Sequence, residues 1–245
     1  LLVNVYPLNE FVVKVASRCN LNCDYCYEYN LGDTTWQGQP RIMSVDTAHA
    51  LGRRIAEHAL RHSLPDVVVS LHGGEPLLLG PDRLNTICDI FRREIAPITE
   101  LHLNMQTNAT LISERVVEVV RRQNVSVSVS IDGGRDAHNR HRLDRLGRGS
   151  FNNVIRGLEI LREHAPEHLK GLLSVIDVTN DPLEVFDVVA GYGVTNVDFL
   201  LPHHHWDSPP PRPDGDSVAY GRWYWELYRA WSADRRGSDR ADPCG

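Results

Sequence analysis

The chain has 245 residues, a formal net charge of −6 and 42% apolar residues, which suits one α/β barrel better than two small domains. The acidic balance gives no reason to expect nucleic acid or an anionic membrane as partner, and no apolar run approaches the ~20 residues of a membrane span. Five cysteines, three of them clustered, do not read as a disulfide framework; thiolates used as metal ligands imply a reducing compartment, most simply the cytoplasm.

No secretory signal is visible, although the chain starts at Leu1 without a Met. Residues 11–17 predict a short buried strand, and Cys19, Cys23 and Cys26 follow it directly. Ser44 is a helix N-cap, and Val45, Ala48, Leu51, Ile55 and Ala59 follow helical spacing to about His62, before Pro65. Val67 to Leu71 is a second strand, typical of one covered on both faces, and it ends in His72-Gly73-Gly74-Glu75-Pro76. A helix from Asp82 to Ile95 leads to a third strand, Leu101 to Gln106, and then Thr107-Asn108-Ala109. Helix 113–122 precedes a fourth strand, Val125 to Ile131, which ends in Asp132-Gly133-Gly134. Residues 135–149 read as a polar segment with five arginines. A helix from Phe151 to His164 follows, then strands Gly171–Ile176 and Val197–Leu201 with a helix near 182–190 between them. His203-His204-His205-Trp206 and a proline-rich loop lead to an aromatic helix over 218–233. In that helix Tyr224, Tyr228 and Trp231 are expected on the core face, with Trp223 and Trp225 exposed. The division expected is a barrel domain over 1–206, the loop and helix over 207–233, and a polar tail over 234–245 that is disordered or a truncated continuation.

Six β-then-α units in succession predict a parallel sheet with right-handed crossovers. Strand parity chooses between an open sheet and a partial barrel. Ser126, Ser128 and Ser130 oppose Val125, Val127 and Val129; His102, Asn104 and Gln106 oppose Leu101, Leu103 and Met105; Ser70 and His72 share a face. One face is polar, which suits the wet interior of an incomplete (β/α)6 barrel. A complete eight-stranded barrel fills its interior with bulky side chains. The unusual segments all follow strands, so one C-terminal rim collects every candidate.

The spacing C-x3-C-x2-C provides three thiolates. They can hold three irons of a cubane cluster and leave the fourth iron open to a substrate or cofactor. Zinc is the alternative, with His49 or His72 as a fourth ligand. Cys88 lies in an amphipathic helix and reads as an inert core thiol. Three adjacent histidines on an extended segment point in alternate directions, so His203 to His205 read as a loop bordering the cavity. With Trp206 they could hold a substrate peptide.

Here a resemblance becomes specific. C-x3-C-x-Tyr-C after a first strand resembles the signature of the radical S-adenosylmethionine (SAM) superfamily, and the resemblance covers about residues 11–206. It implies a partial TIM barrel, with Cys19, Cys23 and Cys26 on a [4Fe–4S] cluster whose open iron is chelated by SAM. Tyr25 takes the aromatic position beside the cluster. Gly73, Gly74 and Glu75 match the motif that binds the SAM amino group. Gln106-Thr107-Asn108 and Ser130-Ile131-Asp132-Gly133 resemble motifs of the peptide-modifying branch, with Ser130 near the ribose. His138-Asn139-Arg140-His141-Arg142 and Gly147 to Phe151 resemble that branch's HD-x2-R…G-x-GSF stretch. Asn139 replaces the usual Asp, and Arg142 is a candidate for the SAM carboxylate.

Lys14 to Cys23, with Leu200 to His203 and Trp206 to Pro213, is similar to radical SAM maturases of ribosomal peptides, nearest to the Fxs-type cyclophane-forming enzymes, or triceptide synthases. The implied reaction is reductive SAM cleavage, hydrogen abstraction from a β-carbon of a precursor peptide, and closure of a carbon–carbon crosslink onto an aromatic ring. Asp132 and the histidines at 203–205 are the candidates for taking the last proton. The implied partners are the precursor peptide, a reducing protein such as flavodoxin or ferredoxin, and a separate peptide-recognition protein. A SPASM domain with auxiliary clusters is expected to be absent, since only Cys88 and Cys244 remain outside the cluster motif. Oxidation of a Cys or Ser to formylglycine, as in sulfatase maturation, and a non-catalytic zinc scaffold are the competing readings.

Overall fold

The computed structural model describes residues 7–233. Six strands form one parallel sheet in chain order: β1 (Glu10–Ala16), β2 (Asp66–Gly73), β3 (Glu100–Thr107), β4 (Val125–Ser130), β5 (Leu169–Val175) and β6 (Asn196–Leu200). β1 and β6 are the two edges and do not pair. This is the order of a barrel that has not closed, as the parity argument expects.

The helices are α1 (Val45–His62), α2 (Gly80–Ile95), α3 (Glu114–Arg122), α4 (Arg135–His141), α5 (Phe151–His164), α6 (Pro182–Gly191) and α7 (Ala219–Ala233). Ser44 caps α1 as expected, its hydroxyl accepting from the Thr47 N–H, and Ser63 ends the helix in the left-handed region. Ser113 and Asp181 cap α3 and α6 the same way. The outward residues of β2, β3 and β4 are buried under the helices: Val67, Val69 and Leu71; Leu101, Leu103 and Met105; Val125, Val127 and Val129. Phe91 and Ile87 of α2 and Leu158 of α5 complete this layer and are fully buried. Burial of each such side chain contributes roughly 1.5–3 kcal/mol. The inward residues of β2 to β4 stay half-exposed, and register pairs Lys14 with His72, Ser70 with Asn104, and Gln106 with Ser128. The inward positions thus share one concave wall.

Two expectations need correction. The 135–149 segment contains α4, a seven-residue helix. Its residues are charged, polar or histidine apart from Ala137, so no apolar period announces it. In α7 the core face is carried by Trp223 (4% exposed) and Leu227 (6%), with Tyr224 half-buried beside them. Tyr228 and Trp231 are 54% and 46% exposed; Tyr228 stacks on Trp225 and meets Trp231 at a tilt. Packing of α7 on α6 selects the stripe containing Leu227, and Trp223 fixes it by donating from Nε1 to the Asn180 carbonyl at 3.0 Å. The expected tail, 234–245, lies outside the described residues. Among the described residues no helix is long and apolar enough to cross a membrane.

Candidate active site

The cysteine loop leaves β1 at Ala16 and is pinned from below by the end of β2. Gly74 N–H donates to the Ala16 carbonyl at 2.9 Å, and Glu75 N–H to the Arg18 carbonyl at 2.9 Å. Gly73 has φ +138°, and a Cβ there would lie 2.1 Å from the Ala16 carbonyl oxygen. A side chain cannot be fitted between the two segments. Two turns then arrange the thiols: Cys26 N–H donates to Cys23 O at 3.0 Å, and Asn30 N–H to Cys26 O at 2.8 Å.

Glu75 is buried and ties β2 to β3. Its Oε1 accepts from the Leu77 N–H at 2.9 Å and the Thr107 hydroxyl at 2.7 Å, and its Oε2 from the Asn108 N–H at 2.8 Å. Burial pushes its carboxyl up, against these donors. Oε2 takes one donor here and retains acceptor capacity. Asn108 Nδ2 donates to Asn20 Oδ1 at 3.0 Å and approaches Cys19 Sγ at 3.7 Å. On the inner wall Gln106 Nε2 donates to Ser130 Oγ at 2.8 Å.

Tyr25 joins the loop to the far side of the sheet. Its hydroxyl donates to Asp132 and accepts from Arg142 at 2.8 Å. Asp132 also accepts from the Val175 N–H at 3.1 Å. Burial raises the Asp132 carboxyl, and Arg142 opposes the rise. His138 stands behind this group. Its Nδ1 accepts from the Asp132 N–H at 3.4 Å, which leaves Nε2 to donate to Ser150 Oγ at 2.9 Å. Burial pushes the His138 imidazole down to about 3, so it is neutral. Asn139, at the position of the usual Asp, caps α5 through Phe151 N–H to Oδ1 at 3.0 Å.

A cavity of about 230 Å3 opens at this rim. Cys19, Cys23, Cys26, Tyr25, Gly73, Gly74, Glu75, Gln106, Asn108, Ser130 and Arg142 all line it. Asp132 does not; its carboxylate is 3% exposed and engaged behind Tyr25, so it is placed to position that tyrosine. His203 reaches the cavity and stacks on Tyr27 at 4.9 Å, whereas His204 turns back to the Ser208 carbonyl and Trp206 is 97% exposed. His49 is spent on Glu94, at 2.7 Å between α1 and α2, and is no partner of the thiols. Glu28, Leu173 and Val175 were not singled out by sequence reasoning, yet they line the wall. The last pair interrupts the polar face at β5; alternation along that strand was the available signal.

The donor set can be tested against a cluster. All three cysteines line one cavity, and Cys19 Sγ accepts from the Leu21 N–H at 3.4 Å, the kind of contact that tunes a bound thiolate. Burial pushes the Cys19 thiol up to about 12 and Cys23 to about 11, and raises Cys26. Metal ligation would displace those protons. Among the described residues no three His, Cys, Asp or Glu side chains gather closely enough to share one ion. Ligands of a cubane bind different irons and stand farther apart than the ligands of one zinc ion, so this result does not count against a cluster. Arg142 lines the cavity and its Nε is buried without a partner, a cationic donor set for a carboxylate.

The profile of the radical SAM superfamily matches residues 13–190. The chain belongs to the radical SAM superfamily. Its cofactors are those of the superfamily, a [4Fe–4S] cluster and SAM, and the cysteines and Arg142 fit them. Among its relatives is a serine-type anaerobic sulfatase-maturating enzyme of Bacteroides thetaiotaomicron, 30% identical over 161 residues, or 66% of this chain and 38% of that protein. A radical SAM cyclopropyl synthase of Paramaledivibacter caminithermalis is 24% identical over 76% of this chain and 40% of its own length. The structure of anSMEcpe with bound AdoMet and the Cp18Cys peptide superposes with a TM-score of 0.79, at 21% identity, over 96% of this chain and 62% of that one. The chain thus spans about two fifths of these curated relatives, and the superposition supports the radical SAM partial barrel as the fold.

Proposed function

We propose that this chain is the catalytic barrel of a radical SAM peptide maturase. One observation carries the reading. The three thiols, the Gly73–Glu75 turn and the Gln106–Ser130 pair face a single cavity that extends to Leu200, Leu201 and His203 at the unpaired edge of the sheet. A peptide laid against that edge would bring one side chain beside the cofactors. Relatives named as sulfatase-maturating enzymes and a cyclopropyl synthase support it, as does a neighbour that holds a peptide.

When bound, the cluster and SAM supply a one-electron cleavage that generates a hydrogen-abstracting 5′-deoxyadenosyl radical. The residues of this chain would bind and orient. Cys19, Cys23 and Cys26 hold the cluster. Arg142 takes the SAM carboxylate, Glu75 the amino group, and Gln106 with Ser130 the ribose. Leu173, Val175 and Leu200 exclude water from the reacting end. Of Asp132 and the histidines at 203–205, His203 stands on the cavity wall and is the better placed to accept the last proton. The implied partners are a precursor peptide, a flavodoxin- or ferredoxin-like reductant and a peptide-recognition protein.

For the reaction itself we carry the carbon–carbon crosslink, on the resemblance to cyclophane-forming enzymes. Formylglycine formation is a second reading, favoured by the sulfatase-maturating relatives. Anaerobic reconstitution with iron and sulfide, followed by SAM and a reductant, should yield visible cluster absorbance and 5′-deoxyadenosine. Cys23→Ala should abolish both, while Cys88→Ala should leave both intact, because Cys88 is buried in α2. Wild-type protein that takes up no cluster would sink the catalytic reading. A product peptide that resists fragmentation between two residues supports the crosslink; one that captures a hydrazide probe supports formylglycine.

A further inference from the structure

The segment after α4 runs antiparallel along the cysteine loop. Asn22 N–H donates to the Leu143 carbonyl at 2.8 Å, Asp24 N–H to the His141 carbonyl at 3.4 Å, and Leu21 forms a bridge with Asp144. Two side chains grip the same loop. Arg145 Nε donates to the Cys19 carbonyl at 2.8 Å. His141 Nδ1 stands 2.9 Å from both oxygens of the Asp24 carboxylate, between Cys23 and Cys26, while its Nε2 holds Asp177 at 3.1 Å. The bracket is itself stiffened: Asp144 Oδ1 accepts from the Leu146 and Arg148 N–H groups, and Leu143 bridges to Gly149.

The sequence gives neither His141 nor Arg145 a part in the chemistry, and neither lines the cavity. Their contacts with the loop are made at the backbone of a ligand cysteine and at the side chain between two others. Within the loop the two turns and the Asn30 amide, which donates to the Cys23 carbonyl at 2.7 Å, fix the Cys23–Cys26 end, whereas the Cys19 carbonyl has its donor in Arg145. We propose that His141 and Arg145 are positioning residues that bracket the cysteine loop and hold its three thiols in place for the cluster. The proposal rests on the cluster site and not on the choice of substrate.

The test uses the full chain with Arg145→Met, which has no donor for the Cys19 carbonyl, Arg145→Lys and His141→Gln. Arg145 is exposed, so its variants should fold. Two readouts need no peptide and no turnover: amide hydrogen exchange of residues 19–26 in the metal-free protein, and the rate at which an iron chelator strips the reconstituted cluster. Arg145→Met and His141→Gln should each raise both rates about fivefold, the loss of one hydrogen bond, with β3 amides unchanged. Arg145→Lys keeps a donor for the Cys19 carbonyl and should restore most of the protection. Loop exchange and stripping within about twofold of wild type in both variants overturns the proposal, because a contact worth ~1 kcal/mol would show more. An equal rise throughout β3 also overturns it, since that is general loosening. Failure of Arg145→Lys to restore protection removes Arg145 from the bracket. Wild-type protein that never takes up a cluster would count against the cluster site itself, a separate outcome.

Discussion

Gly74 sits where a methyl group has no room. A Cβ there would lie 1.9 Å from the Tyr29 hydroxyl and 2.3 Å from the Arg18 carbonyl oxygen. The tyrosine could swing aside, but the carbonyl belongs to the backbone that also accepts from Glu75 N–H. Gly74→Ala should therefore cost ~1–3 kcal/mol by overpacking and lower cluster occupancy in the same step. Gly191→Ala is the matched control: a Cβ there meets nothing within 4 Å, at the end of α6, so stability should hold or rise slightly. Urea denaturation and iron content of the two variants give the comparison, and equal effects would refute the steric account. The motif around Gly74 was legible in the sequence as a place where backbone approaches a ligand. What the sequence could not give is that another loop fills the space first. The same holds for His138 and Asn139, which read as motif letters and turn out to orient Asp132 and cap α5.

Elements were legible where a period is strong. Five of the seven helices show an apolar stripe that fixes their ends to within about two residues, near the usual limit for boundaries. α4 escaped because six polar and charged residues around a single alanine have no period to count. α7 was seen but turned wrongly, because counting aromatic rings alone passes over Leu227. The packing against α6 makes an unequal prediction for two tryptophans of α7. Trp223→Ala should cost about 3–5 kcal/mol, since it empties a buried site and strips the Asn180 carbonyl of its donor. Trp231→Ala should fall within about 0.5 kcal/mol of wild type, as for most exposed positions. Chemical denaturation of both variants decides the face; the reverse order would restore the original one.

At the scale of the whole molecule, parity along β2, β3 and β4 was enough to place one wet wall and one rim. It was not carried to β5, where Leu173 and Val175 turn inward, and it said nothing of how the rim is cross-braced. That bracing is electrostatic. His141 of α4 joins Asp24 of the cysteine loop to Asp177 after β5; Arg140 binds Asp177 at 2.6 Å and Asn180 Oδ1 at 2.8 Å, and Trp223 of α7 donates to the Asn180 carbonyl. The charged groups facing His141 are thus Asp177 and Asp24, with Arg140 and Arg142 as its helix neighbours and the Tyr25 ring at 5.7 Å. Hydrogen bonding to Asp177, aided by Asp24, raises the imidazole from 6.5 to about 9, and burial opposes the shift. The Asp177 carboxyl is held well below its usual range by His141, Thr179 and Arg140, against burial. A raised histidine binds its proton more tightly in the folded chain than in the unfolded one. Its stabilisation is fully present below pH 6.5 and is lost as pH climbs through about 9. The lowered carboxyl acts in the other direction: its contribution is present above its ordinary value of 3.8 and is lost as pH falls below that. Thermal melts from pH 6 to about 10 should show the gap between wild type and His141→Gln closing on the alkaline side, because only the wild type has this proton to lose. Parallel curves across that window would mean that His141 is uncharged in the folded protein and that the brace is held by its neutral hydrogen bonds alone.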